Sequence, residues 1–201
     1  EVDLKTAKVI SASGFLECVI AHSFSEEALK IFSPKKNLRI IKLEDFHPGD
    51  KYDIKKIEGG MLLQEKDNLM VDEASLKLVT KKKPTKKQVL SLIFAWKVAK
   101  HVKSNAIVLA KDTRTIGIGA GQTSRVDSVI LDKNKAGKLS KNSCIASDGF
   151  FPKPDSIIVA AKSGIKAIIQ PGGSIADEEV ISACDKHKIA MVFTGVRHFK
   201  H

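Results

Sequence analysis

The stretch that decides the architecture is QVLSLIFAWKVAKHVKSNAIVLAKDTRTIGIGAGQ, residues 88–122. Between Gln88 and Val102, the apolar residues Val89, Leu92, Ile93, Trp96, Ala99 and Val102 recur at three- and four-residue intervals, while Lys97, Lys100 and Lys103 fall on other faces or at the end. That period is the stripe of an amphipathic helix. Ala106 to Ala110 follows as an apolar run of strand length, Asp112-Thr113 makes a turn, and Thr115 to Gly119 reads as a second strand. A further helix then leaves a glycine-rich loop from Gln122 onward. Helices alternating with short strands predict a layered α/β sheet.

Downstream the theme repeats. Ser147 to Pro154 reads as a loop, Asp155 to Lys162 as a helix, Ala167 to Gln170 as a strand, Pro171 to Ser174 as a loop, Asp177 to Lys186 as a helix and Ile189 to Phe193 as a strand. Upstream, an apolar run at Phe15 to Ile20, a helical pattern at Ser23 to Phe32 and a second apolar run at Leu38 to Leu43 predict strand, helix, strand with a parallel pairing. Ser25-Glu26-Glu27 suits the start of that helix and Ser33-Pro34 its end. Glu44 to Asp53, with Pro48 and Gly49, reads as a loop, and Gly59-Gly60 releases a short strand that runs to Gln64. Five of the seven residues from Lys81 to Lys87 are lysine, which is the sharpest compositional break in the chain. We place a boundary there, giving residues 1–79 and 80–201 as two subdomains.

The chain has 201 residues, a net charge of +11, 43% hydrophobic and 28% charged residues. Such a composition supports a packed core and excludes disorder, collagen and coiled coil. No apolar run is long enough to cross a membrane, and the opening Glu1, Asp3 and Lys5 do not form a leader, so a cytoplasmic protein is expected. Cys18, Cys144 and Cys184 lack the spacing of a zinc site or disulfide framework and are read as buried small hydrophobes. The chain begins with Glu1, and residues 1–12 show no turn or cap of their own, so we read it as a piece of something longer.

Four features bear on chemistry. Gly117-Ile118-Gly119-Ala120-Gly121-Gln122 echoes a dinucleotide-binding loop but lacks the third small residue and the later acidic residue of that fingerprint. What it retains is a tight glycine turn that offers backbone N–H groups, Ser124 and Arg125 to an anion. Pro171-Gly172-Gly173-Ser174 reads either as a plain strand-to-helix connection or as a second such loop lining the same crevice. The tail Arg197-His198-Phe199-Lys200-His201 is either a solvated charge cluster or a segment anchored by Phe199 that presents Arg197 to a phosphate. The lysine run suits nucleic acid electrostatically, yet no aromatic is interleaved with it, so it reads as a solvated linker.

Longer strings carry a resemblance. Ser104-Asn105-Ala106-Ile107-Val108, the run from Ile116 to Val126, Ser147-Asp148-Gly149-Phe150-Phe151-Pro152 and the terminal Arg197 to His201 resemble the second half of the transformylase region of the bifunctional AICAR transformylase/IMP cyclohydrolase family. Gly59-Gly60 to Gln64 and Ile20-Ala21 with Glu26-Glu27-Ala28-Leu29 resemble it too, so the likeness runs through the whole chain in order.

The resemblance implies a three-layer α/β/α, cytidine-deaminase-like fold, with a partial first subdomain and a nearly complete second one. It implies formyl transfer from 10-formyltetrahydrofolate to the 5-amino group of AICAR, giving FAICAR, with no metal. AICAR would be held by positions matching Glu17, Asn105, Arg125 and Arg197, the last taking the 5′-phosphate. Folate would be held by positions matching Val126, Phe150, Asp155, Ser174 and Ile175, with the Phe150 ring open to the pterin. The terminal His201 would lie near the reacting groups. Homodimers with sites at the subunit interface are implied. The family's catalytic Lys-His pair precedes the region matched, and neither Lys100-His101 nor Lys200-His201 has its surrounding motif, so this chain alone is expected to be inactive. The other reading is a non-catalytic nucleotide- or RNA-binding assembly module that uses its lysine run.

Overall fold

A computed structural model describes residues 1–45 and 51–200. The chain divides into two compact units, residues 1–66 and residues 67–201. Residues 67–79, grouped with the first part on sequence, are built into the second unit. Lys77–Leu78 (β5) pairs with a strand near the C-terminus, and Val71 and Leu76 pack in the core there.

In the first unit Asp3 caps a helix over Leu4–Ala12 (α1), its carboxylate accepting from the Thr6 N–H at 2.8 Å. The expectation of no cap in this segment is thereby corrected. Only Ala7 of α1 is buried, which is why no apolar stripe announced it. Cys18–Ala21 (β1), Glu26–Phe32 (α2) and Arg39–Lys42 (β2) form the expected strand, helix and parallel strand, with Ser25 capping α2. Phe15, read as the start of β1, lies ahead of it and is 84% exposed. The core is Val2, Ala7, Ala28 and Phe32. Tyr52–Ile57 (β3) and Gly60–Glu65 (β4) make an antiparallel hairpin. Tyr52 and Asp53, expected in a loop, begin β3, and the middle of that expected loop lies outside the described residues.

The second unit holds a six-stranded sheet in the order β5-β10-β9-β8-β6-β7 among the described residues. Lys86–Ala99 (α3) precedes Ile107–Lys111 (β6) and Arg114–Gly119 (β7); Arg125–Ala136 (α4) precedes Cys144–Ser147 (β8). Asp155–Lys162 (α5), Ala167–Gln170 (β9), Asp177–Lys186 (α6) and Ala190–Phe193 (β10) complete it. β8, β9 and β10 are parallel, while β6 runs antiparallel to both β7 and β8.

Alternation along the strands divides two cores. Ile107, Leu109, Ile145, Ile168 and Met191 face α4, α5 and α6 with Val129, Ile157 and Val180. Ala110, Cys144, Ala146, Ala167 and Ala190 face α3. The alanines and Cys144 on that second face, set among Val108, Ile169 and Val192, make room for Leu92 and Trp96 of α3, while isoleucine, leucine and methionine fill the first. Helices therefore cover both faces of one sheet. A capping box between Thr85 and Gln88 starts α3. The lysine run lies inside this unit as the connection from β5 to α3. The Lys81 N–H donates to Asp185 at 2.8 Å and the Lys82 ammonium to the Lys188 carbonyl at 2.7 Å, so it is tied to the C-terminal end of α6 instead of forming a linker. Cys144 and Cys184 are buried, which pushes both thiols up to about 12, whereas Cys18 is exposed. Among the described residues no helix is long and apolar enough to cross a membrane.

Candidate anion-binding site

The register brings five loops to one end of the second unit's sheet. Ile107 opens β6 opposite Gly119 at the end of β7 and Ser147 at the end of β8, while Gln170 and Phe193 close β9 and β10 side by side. Ligands of open α/β sheets gather beyond these carboxyl ends.

At that end the Arg125 side chain, from the first turn of α4, is held by three acceptors. Its Nε donates to Ser147 Oγ at 3.2 Å, Nη1 to Asn105 Oδ1, and Nη2 to Asp148 Oδ1 at 3.0 Å. Asp148 is 1% exposed and its second oxygen accepts from Ser104 Oγ. The Asn105 side-chain amide in turn donates to the Gln122 carbonyl at 3.0 Å, and the Asn105 backbone carbonyl accepts from Ser128 Oγ at 2.7 Å. Burial lowers the Arg125 pKa, Asp148 counters it, and the positive charge of Arg197 lowers it further. Guanidinium remains charged at neutral pH regardless. Of its five N–H donors, three are used within the protein, which leaves two for a ligand.

Gly149 shows how tightly this is built. A Cβ there would lie 2.0 Å from Arg125 Nη2. Next along the chain, the Phe150 ring carries the Arg197 guanidinium on one face, 4.8 Å from its centroid. Gly173 stands close by, since its Cβ would sit 3.5 Å from Arg197 Nη2. No carboxylate among the described residues pairs with Arg197. Two cations thus share a site with a single buried carboxylate, an arrangement that favours an anionic ligand.

The structure therefore joins Asn105 to Arg125, and Phe150 to Arg197. Val126 is half-buried in the first turn of α4, and Asp155 is exposed at the start of α5, where it accepts from the Ser156 N–H at 2.6 Å. Ser174 accepts from the Ala176 N–H at 3.1 Å, and Ile175 beside it is fully exposed. These four lie on the helix starts and loop that follow β7, β8 and β9, at the same end as the arginines. Glu17 belongs to the first unit, where it is exposed and its carbonyl accepts from the Arg39 N–H at 2.9 Å. The cluster is built from second-unit residues alone. His201 lies outside the described residues.

Two readings change. Gly117 and Gly119 are strand residues of β7 and do not cradle an anion. A Cβ on Gly117 would meet Asp132 at 2.1 Å and one on Gly119 the Ser128 carbonyl at 2.1 Å, so both let α4 lie against the strand. Only Gly121, with φ +66°, serves the turn, and its N–H donates to the Lys103 carbonyl at 2.9 Å. The Phe150 ring, expected to be open, has one face taken by Arg197. Asp148, Ser104 and Ser147 were missed as site residues, although they stand in the strings that carried the resemblance. No spacing in the sequence marks them as neighbours of Arg125.

An α/β unit that gathers two arginines, one of them without a carboxylate partner among the described residues, at the carboxyl ends of its strands is the class that this geometry defines. The model of the AICARFT/IMPCHase bienzyme family matches residues 1–135. The chain belongs to that family. It is 55% identical over 200 residues to the bifunctional purine biosynthesis protein PurH of Thermoanaerobacter sp. (strain X514). It is 52% identical over 204 residues to PurH of Aquifex aeolicus (strain VF5). In both comparisons all of this chain is covered, and it spans 39% of the relative's length. Among solved structures, RibD of Acinetobacter baumannii (form 2) matches at TM-score 0.36 and 12% identity over 50% of this chain and 32% of its own, a likeness that decides nothing about the fold.

Proposed function

We propose that this chain is the AICAR- and folate-binding part of a formyltransferase of purine biosynthesis. The observation that carries the reading is the pair Arg125 and Arg197 around one buried carboxylate at the carboxyl ends of the strands. Arg197, exposed and without a counter-ion among the described residues, takes the 5′-phosphate. Asn105 and the two remaining N–H groups of Arg125 meet the carboxamide, for which an amide supplies both donor and acceptor. The folate lies along Val126, the free face of Phe150, Asp155, Ser174 and Ile175. The fully exposed Ile175 supplies an apolar contact that nothing in its own unit covers. A deaminase-like fold is supported by the sheet covered with helices on both faces, and a cytoplasmic homodimer fits the family reading.

In the reaction, the AICAR amine attacks the formyl carbon of 10-formyltetrahydrofolate, the new C–N bond forms, and the bond from that carbon to the folate nitrogen breaks. The amine proton passes to the departing nitrogen. AICAR's amine is delocalised into its ring and carboxamide, so attack requires a placed base and a stabiliser for the oxyanion. Under this reading the family's Lys-His pair is supplied by another segment. This chain supplies binding walls and orientation, and the partner segment supplies the proton transfer.

The test is a formyl-transfer assay with this chain alone and with a separately produced segment of a relative that carries the Lys-His pair. Turnover in the mixture and not in either part supports the reading. No turnover in the mixture, together with no binding of AICAR to this chain, contradicts it.

A further inference from the structure

Directly after Arg197 the chain turns inward. His198 is 2% exposed, and its Nδ1 contacts Asp67 Oδ2. Its ring packs on Trp96, with centroids 4.7 Å apart. The His198 backbone N–H donates to the Asp148 carbonyl at 3.0 Å, and two residues on the Lys200 carbonyl accepts from the Ser104 N–H at 2.8 Å. Asp67, a quarter exposed, also has Lys100 Nζ at 3.9 Å. One buried imidazole thus ties the tail to the first residue of the unit through its ring, and to the residue that holds Arg125 through its backbone. On either side of it Arg197 and Phe199 are exposed.

We infer that Asp67 and His198 are a positioning pair for Arg197, holding the backbone of the tail so that the guanidinium stays over Phe150 and beside Arg125. This rests on the reading of Arg197 as the phosphate ligand. A long cationic side chain on a free tail must lose backbone and rotamer freedom when it binds, whereas one on a pinned backbone has lost much of it already. The acid matters because a hydrogen bond to a charged group is stronger than a neutral one, and removing one partner of a buried pair leaves the other unsatisfied.

Calorimetry of AICAR binding to the full 201-residue chain tests the pair, with the phosphate-free riboside as control. His198→Leu fills the ring's space without a donor, Asp67→Ala removes the acid from the more exposed side, and His198→Asn places an amide nitrogen where Nδ1 sits. His198→Leu and Asp67→Ala each weaken AICAR binding about tenfold, the double variant is no weaker than either, and His198→Asn restores most of the affinity. Riboside binding stays unchanged in all of them, which a general loosening of the fold would not allow. Trp96 is the one tryptophan in the chain and is 2% exposed, so a cooperative red shift of its emission on denaturation reports that each variant was folded. Wild-type affinity in both single variants, or losses that add in the double, overturns the inference and spares the phosphate site. An unmodified chain that binds no AICAR overturns both.

Discussion

The neighbourhood of Arg125 is set by what is missing at position 149. With hydrogen as its side chain, Gly149 lets the guanidinium lie against the backbone, within reach of Asp148, Asn105 and Ser147 at once. Its φ is not positive, so alanine is sterically acceptable to the backbone and not to Arg125. Gly149→Ala therefore displaces the guanidinium, and calorimetry should show AICAR affinity falling by about tenfold or more as charge-assisted hydrogen bonds are lost. Unchanged affinity would show that Arg125 does not touch the ligand. At this scale Arg125 and Arg197 stood out as cations beside a glycine turn and in the tail, and Asn105 through the resemblance alone; the structure brings Asn105 to Arg125 and Phe150 to Arg197. Asp148 was not legible, since a carboxylate beside an arginine in space leaves no mark in the spacing of 125 and 148. Nor did the sequence reveal that Gly117 and Gly119 serve packing, because a glycine-rich run looks the same whether an anion or a helix approaches it.

Helix α4 is the element that carries Arg125, and its inner side holds an unusual group. Asp132 is fully buried with neither carboxylate oxygen hydrogen-bonded, and desolvation pushes its pKa up to about 8 against the opposing charge of Lys135. The folded protein thus holds a proton there that the unfolded chain releases near its ordinary value of 3.8. The stability associated with that proton is complete below pH 4, declines as pH rises, and is gone above about pH 8. Asp132→Asn does not titrate, so it should melt higher than the parent by about 5 °C at pH 8, and the gap should shrink towards pH 4. Differential scanning calorimetry at the two pH values checks this, and an equal gap at both contradicts it. Among the elements, α3 and α6 were legible from period and flanking charge, and β6, β9 and β10 from apolar runs. Four elements were not. β3 is exposed along its whole length, α1 buries one residue, β5 is two residues long, and β8 is a four-residue run behind a turn at Asn142. The last three owe their place to pairing or packing with distant chain, which a local pattern does not contain.

At the scale of the molecule, the division falls at 66/67 because β5, Val71 and Asp67 all have their partners in the later part of the chain. Residues 67–201 contain two closed cores and both helix layers, so that segment made alone should unfold in one cooperative transition followed by Trp96 emission. A gradual, non-cooperative loss of signal would mean that it depends on the first unit. The lysine run misled at this scale, since a charge cluster marks exposed backbone whether it separates units or, as here, joins β5 to α3 inside one. The +11 charge and the two arginines converge on one expectation, an anionic ligand drawn to one end of the sheet. Calorimetric titration of the chain with AICAR, set against its phosphate-free riboside and repeated on Arg197→Ala, examines that expectation most directly. The account predicts that AICAR binds at least about tenfold more tightly than the riboside and that Arg197→Ala removes the difference. Equal binding of the two ligands, or a phosphate preference that survives Arg197→Ala, would contradict it.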